Sequence, residues 1–291
     1  MSLTPVPPVF LDYYQARLDL NYNQSAWAPN ADEIIAWYRT ATIVARQRLT
    51  SRSLAYGDGP LERIDLFPVP EVNAPLVVYV HGGAWRSLSR MDSAFAAEAF
   101  VAAGINFAVL DFASIPDARL PDMVGQVQRG IGWLSRNGGE LGYDPDRLFI
   151  IGHSSGAHLV AAAMTAATDN QIAPGTVSGA ICASGAYDLE GPMLSARGAY
   201  LQLSSSEVDT FSPMRHLERI DCPMIVAYGD GETDEYCRHS KAFHAGLVEA
   251  GKACQLILGE GQNHFEVSRT LADQDGILFR AAVNLAFNGI R

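Results

Sequence analysis

A serine, a cluster of carboxylates and a histidine each follow a short apolar run of the chain. Ser154 is the centre of a G-x-S-x-G pattern in GHSSGAH (152–158). Carboxylates crowd GDGETDE (229–235), and His264 lies in the later segment GQNHFE. A serine hydroxyl is a weak nucleophile until a histidine, itself oriented by a carboxylate, takes its proton. The order serine, acid, histidine therefore indicates nucleophilic attack on a carbonyl group.

A glycine-rich segment, HGGAW (81–85), could stabilise the charge that such an attack creates. Glycines there allow a loop whose N–H groups, those of Gly83 and Ala84 beside Gly82, point at the developing oxyanion. The amide of Ser155, at the start of the next helix, points to the same place. Ser155 is not the centre of the G-x-S-x-G pattern, so we expect it to donate its amide rather than to act as the nucleophile.

Strand-like and helix-like segments alternate along the chain and place these clusters. Continuous apolar runs such as PLVVYV (75–80) and RLFII (147–151) are typical of strands buried on both faces. Between such runs lie helical stretches such as DMVGQVQRGIGWLSRNGG (122–139). The alternation predicts an α/β fold with a mostly parallel central sheet and helices on both faces. The chemical clusters then fall at the carboxyl ends of strands, where such sheets bind ligands.

One α/β domain over residues 1–291 is the predicted organisation. Residues 1–50 form an N-terminal segment with one helical stretch, for which Asn30 and Asp32 are the two candidate helix caps. Residues 189–222 have weak periodicity and indicate an excursion over the sheet rather than a second domain. Together the two segments are expected to form a small cap.

Composition excludes several classes of partner. The chain of 291 residues has a formal net charge of −11, spread without an acidic tail. This argues against nucleic acid and anionic membranes, and leaves a small-molecule substrate and an optional homo-oligomer. The four cysteines show no C-x-x-C spacing, which favours free thiols in a reducing compartment and no bound metal.

The N-terminal stretch MSLTPVPPVFLDYY lacks the basic and apolar regions of a signal peptide. The apolar runs of the chain are also too short to cross a bilayer. A cytoplasmic protein is therefore expected.

Four ordered motifs, HGGAW, GHSSGAH, YGDGETDEY and NHFE, resemble those of the serine-dependent arylformamidase (kynurenine formamidase) branch of the α/β-hydrolase superfamily. This branch is close to the hormone-sensitive-lipase-like esterases. YGDGPLERIDLFP and SGAYDLEGP extend the similarity over most of the chain. The resemblance implies an α/β-hydrolase fold. It also implies a hydrolase without metal or cofactor that cleaves an N-formyl or related amide through an acyl-serine intermediate.

The acid of the triad departs from the family pattern. The family often has Asp three residues after the glycine that ends its seventh strand, and that position here is Glu232, counted from Gly229. Glutamate can also orient the histidine. Asp234 and Asp230 are rivals, in that order, so the expected triad is Ser154, Glu232 and His264 with the acid left open.

Other residues near the motifs carry weaker expectations. His81, Trp85 and His153 are candidates for the substrate pocket, although Trp85 fits core packing equally well and His81 fits a structural hydrogen bond. His158 is expected to pack locally. His216, His239 and His244 are expected in solvated helices.

Two further functions stay open from the sequence. A carboxylesterase or lactonase acting on short acyl esters needs the same triad and oxyanion hole. A small-molecule receptor on the same fold would bind without turnover, but such proteins usually lose a triad member.

Overall fold

The computed structural model describes residues 7–289, and within them eight strands form one sheet. The N-terminal part of the predicted segment 1–50, before residue 7, lies outside the described residues. The strands are β1 (Arg52–Ala55), β2 (Arg63–Phe67), β3 (Ala74–Val80), β4 (Asn106–Leu110), β5 (Tyr143–His153), β6 (Gly179–Ala183), β7 (Met224–Gly229) and β8 (Cys254–Gly259).

The strands are ordered β1-β2-β4-β3-β5-β6-β7-β8 across the sheet. β2 runs antiparallel to both of its neighbours, and β3 to β8 are parallel to one another. The prediction of a mostly parallel sheet is confirmed. β1 is short and exposed, so it carries no buried apolar run that the sequence analysis could detect.

Helices cover both faces of this sheet. They are α1 (Gln15–Asn21), α2 (Gln24–Trp27), α3 (Ala31–Arg48), α4 (Ala97–Ala102), α5 (Leu120–Leu141), α6 (Ser155–Thr165), α7 (Glu190–Leu194), α8 (Gly198–Leu201), α9 (Ser205–Thr210), α10 (Asp234–Glu249), α11 (His264–Arg269) and α12 (Ile277–Asn288). Along β3, Leu76, Val78 and Val80 pack with the helices of one face, which include α5 and α6. Val77 and Tyr79 pack with those of the other, which include α4 and α12. The alternation of side chains in a strand thus builds two apolar cores, one on each side.

Residues 189–222 leave the sheet after β6 and return at β7. This segment carries the short helices α7, α8 and α9 and two 3₁₀ turns. Arg197 in this segment donates from Nε to the main-chain oxygen of Tyr22, at 2.8 Å, in the N-terminal segment. The two segments expected to form a cap are therefore in direct contact.

Asn30 occupies the N-cap position of α3, but its side chain makes no capping hydrogen bond. Its Nδ2 donates to Glu266 Oε1 at 2.8 Å, and its Oδ1 accepts from Asn263 Nδ2 at 2.7 Å. Asn30 therefore ties the start of α3 to the turn that carries His264, a tertiary role rather than the predicted local one.

None of the helices within residues 7–289 is long and apolar enough to cross a membrane. The cysteines are free thiols: Cys182 and Cys222 are buried, and Cys237 and Cys254 are half-buried.

Candidate active site

Ser154 lies in a sharp turn between β5 and α6, with backbone angles φ 56° and ψ −125°. A non-glycine residue with such angles is strained, and its surroundings must hold it there. The flanking glycines are needed for close packing rather than for flexibility. A Cβ on Gly152 would lie 2.4 Å from the oxygen of Gly156, and a Cβ on Gly156 would lie 2.1 Å from the oxygen of Val80. The G-x-S-x-G spacing thus lets α6 start directly against β3 and β5.

His264, at the start of α11, lies between Ser154 and Glu232. Its Nε2 is 2.8 Å from Ser154 Oγ, and its Nδ1 is 2.7 Å from Glu232 Oε2. Because an ionised carboxylate only accepts hydrogen bonds, Nδ1 carries the imidazole proton and Nε2 is left to accept from the serine hydroxyl. All three side chains are buried, with residue exposures of 7%, 3% and 4% for Ser154, His264 and Glu232. This geometry is that of a general base oriented by an acid.

Glu232 is held by both of its oxygens. Oε1 accepts from Ser184 Oγ at 2.6 Å and from the N–H of Gly229 at 2.8 Å, which leaves Oε2 for His264. The rival acids lie elsewhere. Asp230 accepts from the N–H of Gly261 at 2.6 Å.

The other rival, Asp234, begins α10 and pairs with Arg17 at 2.8 Å on the surface. The structure therefore brings Glu232, and neither rival, to the histidine.

The loop HGGAW passes beside the serine with three consecutive positive φ angles, at Gly83 (113°), Ala84 (54°) and Trp85 (61°). The N–H groups of Gly83 and Ala84 donate to no acceptor within residues 7–289. The N–H of Ser155 belongs to the first residue of α6, which has no partner within its own helix. These are the amides from which the sequence predicts an oxyanion hole.

The histidines of the motifs hold the frame of the site. His153 donates from Nε2 to the main-chain oxygen of His264 at 2.7 Å, and its ring lies 4.7 Å from that of His264. Burial, together with the neighbouring imidazole, lowers the pKa of His153 well below its usual value. His81 contacts the oxygen of Gly82 at 2.9 Å and Asp111 at 3.3 Å. Both side chains hold the main chain around Ser154.

Trp85 lies in the core rather than on a pocket wall, with 2% exposure. Its indole N–H donates to Nδ1 of His158 at 3.3 Å, and His158 in turn donates from Nε2 to the oxygen of Phe211 at 2.9 Å. Of the two roles left open for Trp85, pocket wall and core packing, the structure supports core packing. His239, expected at the surface, is 1% exposed, which corrects that expectation.

A cavity of about 400 Å³ opens at Ser154 and His264. Four aromatic side chains and the candidate histidines line it: Tyr38, Tyr79, Phe95, Phe265, His81 and His153. Tyr38 and Phe95 are stacked with their ring centroids 4.5 Å apart. Such a wall suits a flat aromatic group beside the serine.

Several residues of the site were not predicted as site residues, although Ser184 and Tyr236 lie within the segments SGAYDLEGP and YGDGETDEY. Ser184 fixes Glu232, and Tyr236 packs edge-on against the ring of His264 with centroids 4.9 Å apart. Asn23 and Arg197 line the cavity from the two cap segments. The segments that supply these last two lack periodicity, so their side chains had no predicted direction. Within residues 7–289, no group of three or more His, Cys, Asp or Glu side chains is arranged to hold a metal ion.

Comparison with known proteins identifies a family to which this chain belongs. The BD-FAE family model matches residues 64–247. The chain is 28% identical over 287 residues to a kynurenine formamidase of Danio rerio, which covers 92% of this chain and 95% of that protein. It is also 28% identical over 242 residues to the isoprenylcysteine alpha-carbonyl methylesterase ICME of Arabidopsis thaliana, which covers 74% of this chain and 56% of that protein.

Among solved structures, the fold matches that of EstE1, a thermophilic carboxylesterase cloned from a metagenomic library. The TM-score is 0.72 at 18% identity, and the match covers 89% of this chain and 96% of that one. The predicted α/β-hydrolase fold is thereby confirmed. Because the family model matches more than half of the chain, the protein belongs to the BD-FAE family and is a hydrolase of the α/β-hydrolase fold.

Proposed function

We propose that the protein is a serine hydrolase that cleaves an N-formyl or related amide of an aromatic amine. The observation that carries the proposal is the continuous hydrogen-bond path from Ser154 Oγ through His264 to Glu232, at 2.8 and 2.7 Å. The path ends in a cavity with aromatic walls. Similarity to a kynurenine formamidase over 92% of the chain supports the same substrate class.

The chemistry follows from the arrangement of the donors and acceptors. His264 Nε2 takes the proton of Ser154, and Oγ attacks the carbonyl carbon of the formyl group. The N–H groups of Gly83, Ala84 and Ser155 bind the oxyanion of the tetrahedral intermediate, and each is worth about 3–4 kcal/mol at the transition state. The imidazolium then protonates the departing nitrogen, and the amine leaves.

The second half of the cycle repeats these steps with water. His264 takes a proton from the water, whose oxygen attacks the formyl ester on Ser154. Collapse of that intermediate releases formate and returns the proton to Oγ. Glu232 accepts from Nδ1 of His264 in both halves of the cycle and stabilises the imidazolium.

A carboxylesterase is the second candidate, and a specific observation favours it. The chain is similar to a plant methylesterase, and its fold matches that of a carboxylesterase. An ester needs the same serine, histidine and oxyanion hole, but its leaving alkoxide depends less on a well-placed acid than an amine does.

The test compares wild type with Ser154→Ala on N-formylkynurenine, other N-formyl arylamines and p-nitrophenyl acetate. We expect Ser154-dependent deformylation with kcat/KM well above the ester value. Ester turnover without deformylation would show that the protein is an esterase and not an amidase. If neither substrate reacts and a fluorophosphonate fails to label Ser154, the protein is a receptor on this fold and the proposal is wrong.

A further inference from the structure

Tyr236 lies between the N-terminal segment and the imidazole of His264. It belongs to the first turn of α10, and its side chain is almost fully buried, with 1% exposure of the residue. On one side its ring packs with Leu18 and Tyr22 of the N-terminal segment. On the other side it meets the ring of His264 at an interplanar angle of 76°, with the ring centroids 4.9 Å apart. The phenol is therefore part of the packing that surrounds the imidazole.

The hydroxyl of Tyr236 is within hydrogen-bonding reach of the Ser154 side chain. Burial raises the pKa of this hydroxyl, while the positive charge of Arg197 and the hydrogen bond with Ser154 oppose the rise. The phenol is therefore uncharged near neutral pH and keeps its proton to donate.

The direction of the hydrogen bond between Tyr236 and Ser154 follows from the contact of Ser154 with His264. The Ser154 hydroxyl gives its proton to Nε2 of His264 at 2.8 Å, so its oxygen can accept further hydrogen bonds but cannot donate another. Tyr236 is then the donor and Ser154 Oγ the acceptor. A hydroxyl with one hydrogen bond can still turn about its Cα–Cβ bond, whereas a second bond fixes the direction from which Oγ attacks.

The start of α10 is anchored, which keeps Tyr236 in place. Thr233, the N-cap residue, donates from Oγ1 to the main-chain oxygen of Asn21 at 2.7 Å and accepts from Nε2 of Gln24 at 3.0 Å. The N–H of Glu235 donates to Oδ1 of Asn21 at 3.3 Å. These buried contacts tie the first turn of α10 to the N-terminal segment. The position of Tyr236 is therefore set by two parts of the chain that are far apart in the sequence.

Packing alone does not explain a tyrosine at this position. A phenylalanine would fill the same space against Leu18, Tyr22 and His264 and would bury no polar atom. A buried hydroxyl costs free energy unless a hydrogen bond offsets the loss of water. Because the partner of this hydroxyl is the Ser154 side chain, the polar atom acts on the reacting group.

We propose that Tyr236 is a positioning residue: its hydroxyl orients Ser154 Oγ, and its ring limits the rotation of the His264 imidazole. The inference rests on the proposed function of Ser154 and adds a further side chain to those that prepare it for attack. The phenol transfers no proton. When the acyl-serine ester breaks in the second half of the cycle, negative charge returns to Oγ, and the same O–H group stabilises it until His264 returns the proton.

The experiment compares Tyr236→Phe, which keeps the ring, with Tyr236→Leu, which loses both the ring and the hydroxyl. Steady-state kinetics are measured on N-formylkynurenine and p-nitrophenyl acetate, together with the rate at which a fluorophosphonate labels Ser154. We expect Tyr236→Phe to lower kcat and the labelling rate about tenfold to a hundredfold, with KM within about threefold of wild type. Tyr236→Leu should lower kcat and the labelling rate further.

Tyr143→Phe is the matched control, because it removes a buried hydroxyl far from Ser154. Tyr143 is the first residue of β5, 1% exposed, and donates to the main-chain oxygen of Leu134 at 2.6 Å. Ser154 follows the other end of the same strand. Tyr143→Phe should lower Tm and leave kcat and the labelling rate unchanged. Tyr236→Phe should lower both rates with a Tm close to that of wild type, because its ring packing is kept and Ser154 keeps its bond to His264.

Each part of the proposal has its own contradicting result. Wild-type kcat and labelling rate in Tyr236→Phe, or a loss no larger than that of Tyr143→Phe, would overturn the role of the hydroxyl. If Tyr236→Leu is no slower than Tyr236→Phe, the role of the ring is overturned.

Failure of the proposed function gives a different pattern, because labelling by a fluorophosphonate needs no substrate. A wild-type protein that is not labelled would overturn the proposed function and this inference with it. A wild-type protein that is labelled, with Tyr236→Phe labelled equally fast, would overturn this inference alone. If only the ester reacts, the protein is not an amidase, and kcat on the ester together with the labelling rate still decides the role of Tyr236.

Discussion

The carboxylate of Glu232 joins the ends of two strands to His264: Oε2 lies 2.7 Å from Nδ1 of His264, while Oε1 lies 2.6 Å from Ser184 Oγ. The N–H of Gly229, the last residue of β7, donates to the same Oε1 at 2.8 Å. Ser184 follows β6 directly and has a positive φ of 56°. The carboxylate is therefore oriented by main-chain and side-chain donors at the ends of two neighbouring strands, independently of its contact with His264.

Replacement of Glu232 by Gln should remove most of the activity without unfolding the protein. The amide group has the same shape, but it does not stabilise an imidazolium and it favours the wrong tautomer of His264. We expect kcat to fall by about three to four orders of magnitude, the loss typical of a triad acid changed to its amide. Steady-state kinetics, with circular dichroism as the check on folding, measure this.

Asp234→Asn and Asp230→Asn are the matched controls, since each removes one carboxylate within two residues of Glu232. Asp234 pairs with Arg17 at the surface, and Asp230 accepts from Gly261. Both should keep kcat within about twofold of wild type, because exposed ion pairs contribute little. A large loss in either variant, with Glu232→Gln still active, would assign the acid to that residue instead.

The sequence could predict the strand ends because buried parallel strands leave long apolar runs. Ser154 and Glu232 follow apolar runs in the buried strands β5 and β7, and His264 follows an apolar run in the half-exposed edge strand β8. The carboxyl ends of these parallel strands meet at one edge of the sheet. The sequence could not decide which of the three carboxylates contacts His264. The three carboxylates lie within five residues and differ in the direction in which their side chains point. That direction depends on hydrogen-bond donors such as Ser184, which is far away in the sequence.

The substrate wall was beyond the sequence for a different reason. Arg197 and Asn23 come from segments without periodicity, and contacts between residues far apart in the chain bring the two segments together, such as those of Arg197 with the carbonyl of Tyr22 and of the Ala196 N–H with Asp19. His239 was predicted in solvent because its helix was expected at the surface. It is buried because Tyr22, from the N-terminal segment, covers it and contacts its Nε2 at 3.0 Å. Burial of a side chain by a segment that is distant in the sequence produces no local pattern of apolar residues from which it could be predicted.

Gly156→Ala should destabilise the turn that carries Ser154. The new methyl group would lie 2.1 Å from the oxygen of Val80 and 2.5 Å from that of His81, and main-chain atoms do not move aside cheaply. We expect a loss of about 1–3 kcal/mol or more in the free energy of unfolding, with a fall in activity because Ser154 is displaced. Urea unfolding measures it.

Gly139→Ala is the control, because a Cβ at this position of α5 meets no atom within 4 Å. It should leave activity unchanged and raise stability by about 0.5–1 kcal/mol. Equal stability of the two variants would mean that the close contact at Gly156 relaxes at no cost.

Tyr22→Phe should loosen the N-terminal segment. The Tyr22 hydroxyl donates to Glu235 Oε2 at 2.9 Å and lies 3.0 Å from Nε2 of His239, and all three side chains are buried. Its removal leaves a buried carboxylate and a buried imidazole each without one partner, a cost of about 1–3 kcal/mol. Thermal unfolding should show a lower Tm, whereas Tyr14→Phe, at an exposed tyrosine, should not change it. A Tm equal to that of wild type would show that water or another group replaces the hydroxyl.

His158 should make the protein sensitive to acid. Burial lowers its pKa to about 4, and its Nδ1 accepts the indole N–H of Trp85, a bond that protonation would break. Because the unfolded chain takes up this proton near the usual value of 6.5, the contribution of neutral His158 is complete above pH 6.5 and is lost as the pH falls toward 4.

Within that window each pH unit costs up to about 1.4 kcal/mol of unfolding free energy for this one group. His158→Gln cannot titrate, so its unfolding free energy should fall less steeply between pH 6.5 and pH 4 than that of wild type. Urea titrations at four or more pH values measure the two slopes. The variant will be less stable at neutral pH because a buried hydrogen bond is disturbed, so the slope and not the offset is the test. Parallel curves would show that the buried imidazole is protonated without loss of the fold.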